Sequence, residues 1–257
     1  VNLFSPSKRQ TASYAHGDLV TLDGHGVRLR VDGRATRVSL RIDQTRREVI
    51  ATAPTPRRLA EAVAFAESRA VWIAGQMVRL PTPSVLQPGA TIEVLGAPCV
   101  LEAGKGRGRL IEATEDAPMR IIAPEGERFT ATVLRLLKAE AKVRLGEATA
   151  IHAKALGQPL PVVTINDPRG RWGSCTPARR TGFASAAEVG RIRYSWRLVL
   201  ATPAVLDYVA AHECAHLVEA NHGPDFWALV HELVGDHCKH RQWLKTHGPR
   251  LHAFGRG

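Results

Sequence analysis

The stretch AAHECAHLVEANHGPDFW, residues 210–227, gathers His212, Glu213, His216 and His222 into a short span. These side chains can act together only if the first part is helical, because residues four apart on a helix stand one above the other. Local signals predict that helix over 203–220. Thr202-Pro203 reads as an N-cap followed by proline at the first helical position, and Asn221-Gly223-Pro224 reads as a stop. At about 100° per residue, Val205, Val209, His212 and His216 form one stripe. Glu213 lies at its edge, and Cys214 projects to the far side.

Two imidazoles at that separation can reach one ion at about 2.0–2.1 Å each. A catalytic zinc usually takes three protein ligands and leaves a fourth position open. His222 is the best third ligand. Asn221 tolerates the left-handed conformation that ends a helix, and Gly223 adds freedom for the chain to fold back. His231, Glu232, His237 and His240 are the alternatives. Glu213 suits a general base, which must reach an attacking water without taking its place. A bare His-Glu-x-x-His string also arises by chance on amphipathic helices. The capped helix, the apolar stripe and the third histidine at a loop favour a zinc site over a pair of core histidines. Cys214 reads as a small buried hydrophobe.

Upstream, the pattern changes twice. VRLRVDG, TRVSLRID and EVIATA alternate apolar and polar residues around Gly-rich turns and predict short antiparallel strands. Thr55-Pro56 opens a helical stretch that Pro81 and Pro83 end. Strand-like ATIEVLG, PCVLEA, RLIEA and MRIIAP follow. A long amphipathic helix is expected over 127–156, stopped at Gly157 and Pro159. PVVTIND, GFASAAEV and RIRYSWRLVL then read as strands, and helices are expected at 203–220, 225–235 and 239–246. No internal repeat is visible. The expected class is α+β: a leader over 1–17, a β-rich N-terminal part with one helix over 18–125, and a helical and sheet part over 126–257 that carries the histidine helix.

Composition narrows the function classes. No run approaches the roughly 20 apolar residues of a membrane-spanning helix, and the first residues lack the apolar core of a secretory signal. Cys99, Cys175, Cys214 and Cys238 are widely spaced with no C-x-x-C pair, which fits a reduced, cytoplasmic setting. The net charge of +11 admits nucleic acid or nucleotide partners. The basic residues are spread along the chain, however, with only GKGRGR (104–109) and RGR (169–171) as dense groups. A solvated basic surface explains them equally well.

Four segments together resemble the YgjP-like metallopeptidase family, a relative of SprT-like and other zincin proteases. They are RWGSC (171–175), RIRYSWRLVLATPAVLDYVAAHECAHL (191–217), NHGPDFW (221–227) and WLKTHG (243–248). ATRVSLRID and VWIAGQM resemble the family's amino-terminal half. The resemblance implies a zincin-like catalytic part, zinc bound by His212, His216 and His222, Glu213 as the base, and a polypeptide substrate. Cys214 stands where the family usually has leucine, and TGFASAAEVG is longer and less polar than the family pattern. In RWGSC, Trp172 with Gly173 suggests a bend where the backbone comes close to something. Cys175 is either a strand residue or a nucleophile beside a histidine. Asp207 either orients the site from behind or complements the helix dipole. Tyr194, His231 and an arginine of 169–171 are candidate oxyanion donors.

Four functions compete on these grounds. They are a zinc peptidase, a nucleotide (UTP-type) pyrophosphohydrolase of the kind attached to YgjP-like proteins, a SprT-like protease acting on DNA-associated proteins, and a structural zinc site. No phosphate-cradling Gly-rich loop supports the second. An aromatic content of 5% leaves little base-stacking surface for the third. A structural site would need a fourth ligand.

Overall fold

A computed structural model of the chain describes residues 13–43, 46–78, 80, 86–168, 170–178 and 189–255. Asp23 (φ 47°) and Gly24 (φ 78°) both sit in the left-handed region. Two-residue hairpins need that conformation to match strand twist. Together they join β1 (Leu19–Leu22) to β2 (His25–Val31). β2 runs parallel to β4 (Glu48–Ala53), and β3 (Ser39–Asp43) pairs antiparallel with the other side of β4. The sheet order is therefore β1-β2-β4-β3.

Val27, Leu29, Val49, Ala51 and Ala53 form one apolar core with Leu59, Ala62, Val63, Ile73 and Met77. The last five belong to α1 (Leu59–Ser68) and α2 (Ala70–Val78). The single helix expected here is interrupted at Arg69. The Ser68 hydroxyl donates to the Phe65 carbonyl at 2.8 Å, the acceptor that the Arg69 N–H would otherwise use, and Arg69 turns to Ala66 instead. This is the competition with the helix ladder that serine side chains offer. The expected leader is tied down from Tyr14 onward: Tyr14 packs on this core, and the Gly17 N–H donates to Leu29 O at 2.8 Å. Residues 1–12 of that leader lie outside the described residues.

The same design recurs, contrary to the expectation of no repeat. Leu95 (φ 51°) and Gly96 (φ 76°) join β5 (Thr91–Val94) to β6 (Ala97–Ala103). β6 runs parallel to β8 (Met119–Ala123), and β7 (Arg109–Ile111) pairs antiparallel with β8. The order β5-β6-β8-β7 repeats that of the first sheet, and again a helix follows. The repeat is hidden in the sequence because only the alternation and the turn geometry are kept; Asp-Gly in one copy is Leu-Gly in the other.

The helix after β8 is α3 (Phe129–Ala155), close to the expected span, with Gly157 in the left-handed conformation after its end. Val94, Leu101 and Ile121 share a core with Phe129, Val133 and Leu137 of α3. The chain divides into compact units Val1–Pro81 and Thr82–Gly257, so the boundary expected near 125 falls inside the second unit.

The third sheet has the order β10-β11-β9, with β9 (Val162–Asn166), β10 (Gly173–Thr176) and β11 (Arg191–Ser195). The strand expected over 182–189 lies outside the described residues except for Val189. RIRYSWRLVL is not one strand. Ser195 caps a 3₁₀ turn at Trp196–Leu200 by accepting the Arg197 N–H. Arg197 is fully buried; it donates to the Phe254 carbonyl at 2.8 and 3.1 Å and forms an ion pair with Asp167.

Helices α4 (Pro203–Ala215), α5 (Pro224–Val234) and α6 (Cys238–Ala253) complete the chain. α4 ends before the expected residue 220, tightened by Leu217 N–H to Cys214 O and Val218 N–H to Ala215 O bonds. α6 outruns its expected end and passes through Pro249. The carbonyl that proline leaves without a partner is that of exposed Lys245, where water can serve it.

Removing the countercharge of a buried arginine leaves an uncompensated charge. Asp167→Asn is therefore expected to lower stability by about 2 kcal/mol in urea denaturation. An unchanged midpoint would show that the burial of Arg197 does not depend on the Asp167 charge.

Candidate metal centre

α4 brings His212 and His216 one turn apart, and the loop before α5 returns His222 to them. The ring centroids stand 5.1 Å (His212–His216), 5.0 Å (His212–His222) and 4.7 Å (His216–His222) apart. One ligand atom from each lies within 4.8 Å of the others, and the Nε2 atoms of His212 and His222 are 3.1 Å apart. Donors on a tetrahedral ion at about 2.0–2.1 Å sit about 3.3 Å from each other, so the three nitrogens fit a single cation. Phe226, buried in the first turn of α5, lies 4.9, 4.5 and 4.7 Å from His212, His216 and His222 and packs against all three rings.

The protonation states suit a metal. Burial, with the neighbouring histidines and Arg241 adding to it, pulls the pKa of His212 down to about 4. Burial and the same kind of neighbours lower that of His222. A neutral imidazole is the form that binds metal. The His216 Nδ1–H donates to the Glu219 carbonyl at 3.0 Å, which leaves its Nε2 as the free donor, the second-shell arrangement usual for metal-binding histidines.

Glu213 is 6% exposed, and the reason lies in RWGSC. A Cβ on residue 173 would fall 2.5 Å from Glu213 Oε1 and 2.6 Å from its Cγ and Cδ. Only glycine lets β10 accept the carboxylate side chain. Burial raises the Glu213 pKa to about 7, and Arg171 pulls it back toward the charged form. Such a group exchanges protons near neutrality, and a cation beside it would favour the carboxylate. Trp172 locks the other side of the motif. It stacks on His252 at 4.1 Å and lies 3.0 Å from where a Cβ on Gly248 would be, both on α6.

The family model of the YgjP-like metallopeptidase domain matches residues 36–247. The chain belongs to the YgjP-like metallopeptidase family. Comparison with curated proteins and with solved structures finds no match. Among the described residues no helix is long and apolar enough to cross a membrane.

The other candidates of this YgjP-like chain separate cleanly. His231, Glu232, His237 and His240 do not join the cluster; among the described residues the grouping able to hold a metal is His212, His216 and His222. Cys175 lies on β10 as a strand residue, and burial, then Glu213, pushes its thiol up to about 12, away from the thiolate a nucleophile needs. Cys214 is buried, with its thiol likewise pushed up to about 12 by burial, as expected of a small hydrophobe. Asp207 takes neither expected role. It accepts from His152 Nε2 at 2.7 Å and so ties α4 to α3. Tyr194 has spent its proton, because Thr149 donates to Leu145 O at 2.6 Å and must therefore accept from the Tyr194 hydroxyl at 2.9 Å. His231 is exposed on α5.

Two groups near the histidines escaped the sequence reading. Tyr208, one turn before His212, meets it edge-on at 6.0 Å; its i, i+4 spacing was a usable signal. Arg241 of α6 lies over Trp227 at 5.3 Å and acts electrostatically on His212 and His222. No local pattern announces it.

Gly173→Ala is expected to displace Glu213 and to lower turnover about 100-fold, the scale of a misplacement near 1 Å, while the metal content stays that of the parent. Full activity in this variant would show that the carboxylate does not need its seat on β10.

Proposed function

We propose that this chain is a zinc-dependent peptidase in which His212, His216 and His222 hold the ion and Glu213 is the general base. The observation that carries this reading is the buried Glu213 carboxylate, seated against Gly173 beside three convergent imidazoles, in a member of a metallopeptidase family. The three nitrogen donors suit zinc, and no fourth His, Cys, Asp or Glu among the described residues joins them, which fits a catalytic rather than a structural site.

A bound zinc supplies Lewis acidity toward the attacking water and the scissile carbonyl. The rest falls to the chain. Glu213, next in sequence to one ligand and one turn from another, takes a proton from the attacking water and delivers it to the leaving amine. Its partial burial excludes bulk water from that proton and keeps its affinity near neutral. Arg171, whose charge reaches Glu213, is the remaining oxyanion candidate of the 169–171 group among the described residues, and Arg241 is a second cation beside the histidines. Either would stabilise negative charge developing on the carbonyl oxygen.

The test combines metal analysis with hydrolysis of an unstructured polypeptide. Wild-type protein should carry one zinc and cleave. Glu213→Gln should keep the zinc and lose activity by about 10²–10⁴-fold, the usual worth of a general acid–base group. His222→Ala should lose zinc on dialysis. Cleavage by Glu213→Gln would refute the base assignment, and pyrophosphate release from nucleoside triphosphates without peptide cleavage would refute the peptidase.

A further inference from the structure

Phe65 and Trp72 are the bulkiest side chains on α1 and α2, and neither belongs to the core those helices form with the first sheet. Aromatic rings are the largest apolar surfaces a helix can bury. Here Val63, Ile73 and Met77 fill the core instead, and Trp72 stays 44% exposed. Both rings line a cavity of about 460 Å³ beside β3. Arg69 stands between them in the chain and lines it too, with its guanidinium 5.6 Å over the Phe65 ring. The spacing of Phe65, Arg69 and Trp72 is that of one helical face.

The opposite wall is residues 37–40. Neighbouring side chains on a strand point to opposite faces, so consecutive residues line one cavity only through the strand's edge. The register agrees. Val38, Leu40 and Ile42 pack on the core, while Ser39 and Arg41 are exposed. β3 is the last strand in the order β1-β2-β4-β3 and pairs with β4 on one side alone. Among the described residues, the backbone groups of Ser39–Ile42 that point away from β4 have no backbone partner. A bare edge of this kind is a template for another strand.

The charges say what kind of strand. Arg28, Arg30 and Arg58 have carboxylate partners, but among the described residues Arg37 and Arg69 have none. No carboxylate lines the cavity. Glu67 falls about 200° round α1 from Phe65, and Asp43 lies at the far end of β3, accepting from the Arg46 N–H. A second copy of the chain would set one arginine-bearing edge against another, which like charges disfavour. Nucleic acid makes no use of strand amides in register, and it needs a longer track of cations than the two that line this cavity.

We propose that β3 and the α1–α2 face form a docking groove for an extended acidic polypeptide, which adds to the sheet as a fifth strand. Its backbone pairs with Ser39–Ile42, an apolar side chain enters between Phe65 and Trp72, and flanking carboxylates meet Arg37 and Arg69. A strand added at a sheet edge takes affinity from the main chain and specificity from alternate side chains, and guanidinium groups match carboxylates in paired bonds. This inference stands apart from the peptidase reading and survives its failure.

Fluorescein-labelled nonapeptides with amidated C-termini test this by anisotropy on the full chain carrying Glu213→Gln, so that cleavage does not enter. The set varies the central residue among Phe, Leu and Ala and the flanking residues among Glu, Gln and Lys. Glu-flanked peptides with a Phe or Leu centre should bind tightest, and Lys flanks should weaken them about tenfold. Methylating alternate amides of the best binder should remove binding. Arg69→Glu should reverse the order of Glu and Lys peptides, and Trp72→Ala should weaken the best binder about 30-fold, the scale of an interface hot spot. Absence of binding across the set, or binding that survives N-methylation or is indifferent to Arg69→Glu, would overturn the proposal. So would a single-stranded oligonucleotide that displaces the peptide at lower concentration than the unlabelled peptide does, or a dimer in sedimentation that Trp72→Ala dissolves, which would give the edge to a second copy.

Discussion

The closest approach between the β10 backbone and the Glu213 side chain organises this half of the protein. A carboxylate is costly to bury, and this one is accommodated because residue 173 has no Cβ to exclude it. The sheet must therefore lie flat against α4 at that point. Trp172 keeps it there, its ring stacked on His252 beside Gly248 of α6. One dipeptide, Trp172-Gly173, thus couples the third sheet to two different helices. The geometry of the proposed metal site depends on the same arrangement, since His212 and Glu213 are adjacent on the helix that β10 braces.

Around this contact the core is arranged to hold α4 rigidly. Asp207 ties it to His152 of α3, and Cys214 sits beneath it with its thiol toward the Thr149 carbonyl. Phe226 fixes the three rings from the side of α5. The first two contacts join elements distant in the chain and the third joins consecutive helices, and together they leave the imidazoles little freedom. Preorganisation of this kind lets a site bind a cation without reordering its ligands. The buried Arg197 does the equivalent for the C-terminus, joining the end of β9 to the carbonyl of Phe254.

The duplicated sheet design raises a different point. β1–β4 and β5–β8 follow the same order and pairing, yet the first copy closes its core with α1 and α2, whereas the second joins the core beneath the histidine helix. What decides this is the helix that follows. α3 is long enough to cover the β5–β8 sheet with its first turns and to reach Asp207 of α4 and the third sheet with its last, while α1 is broken after Ser68.

The amino-acid sequence by itself determined the features that rest on local periodicity and backbone chemistry. Pro203 starts α4 as its first residue, with Thr202 extended at the cap position but making no side-chain cap bond. The left-handed Asn221 expected to turn His222 back is not found, and Gly223 is extended at φ −79°. The four-residue spacing brings His212 and His216 together because helix geometry acts within a few residues. The strands of β2, β4, β6 and β8 and the span of α3 were legible for the same reason. Only the tertiary structure decided that Gly173 receives Glu213, that Asp207 serves α3, that Tyr194 is spent on Thr149, and that Arg241 stands near the histidines. Those pairings join residues far apart in the chain, and nothing in the spacing near either partner records the other. The hidden repeat has the same cause. Pairing order is a property of strands meeting in space, and it is the same in both sheets although their side chains differ.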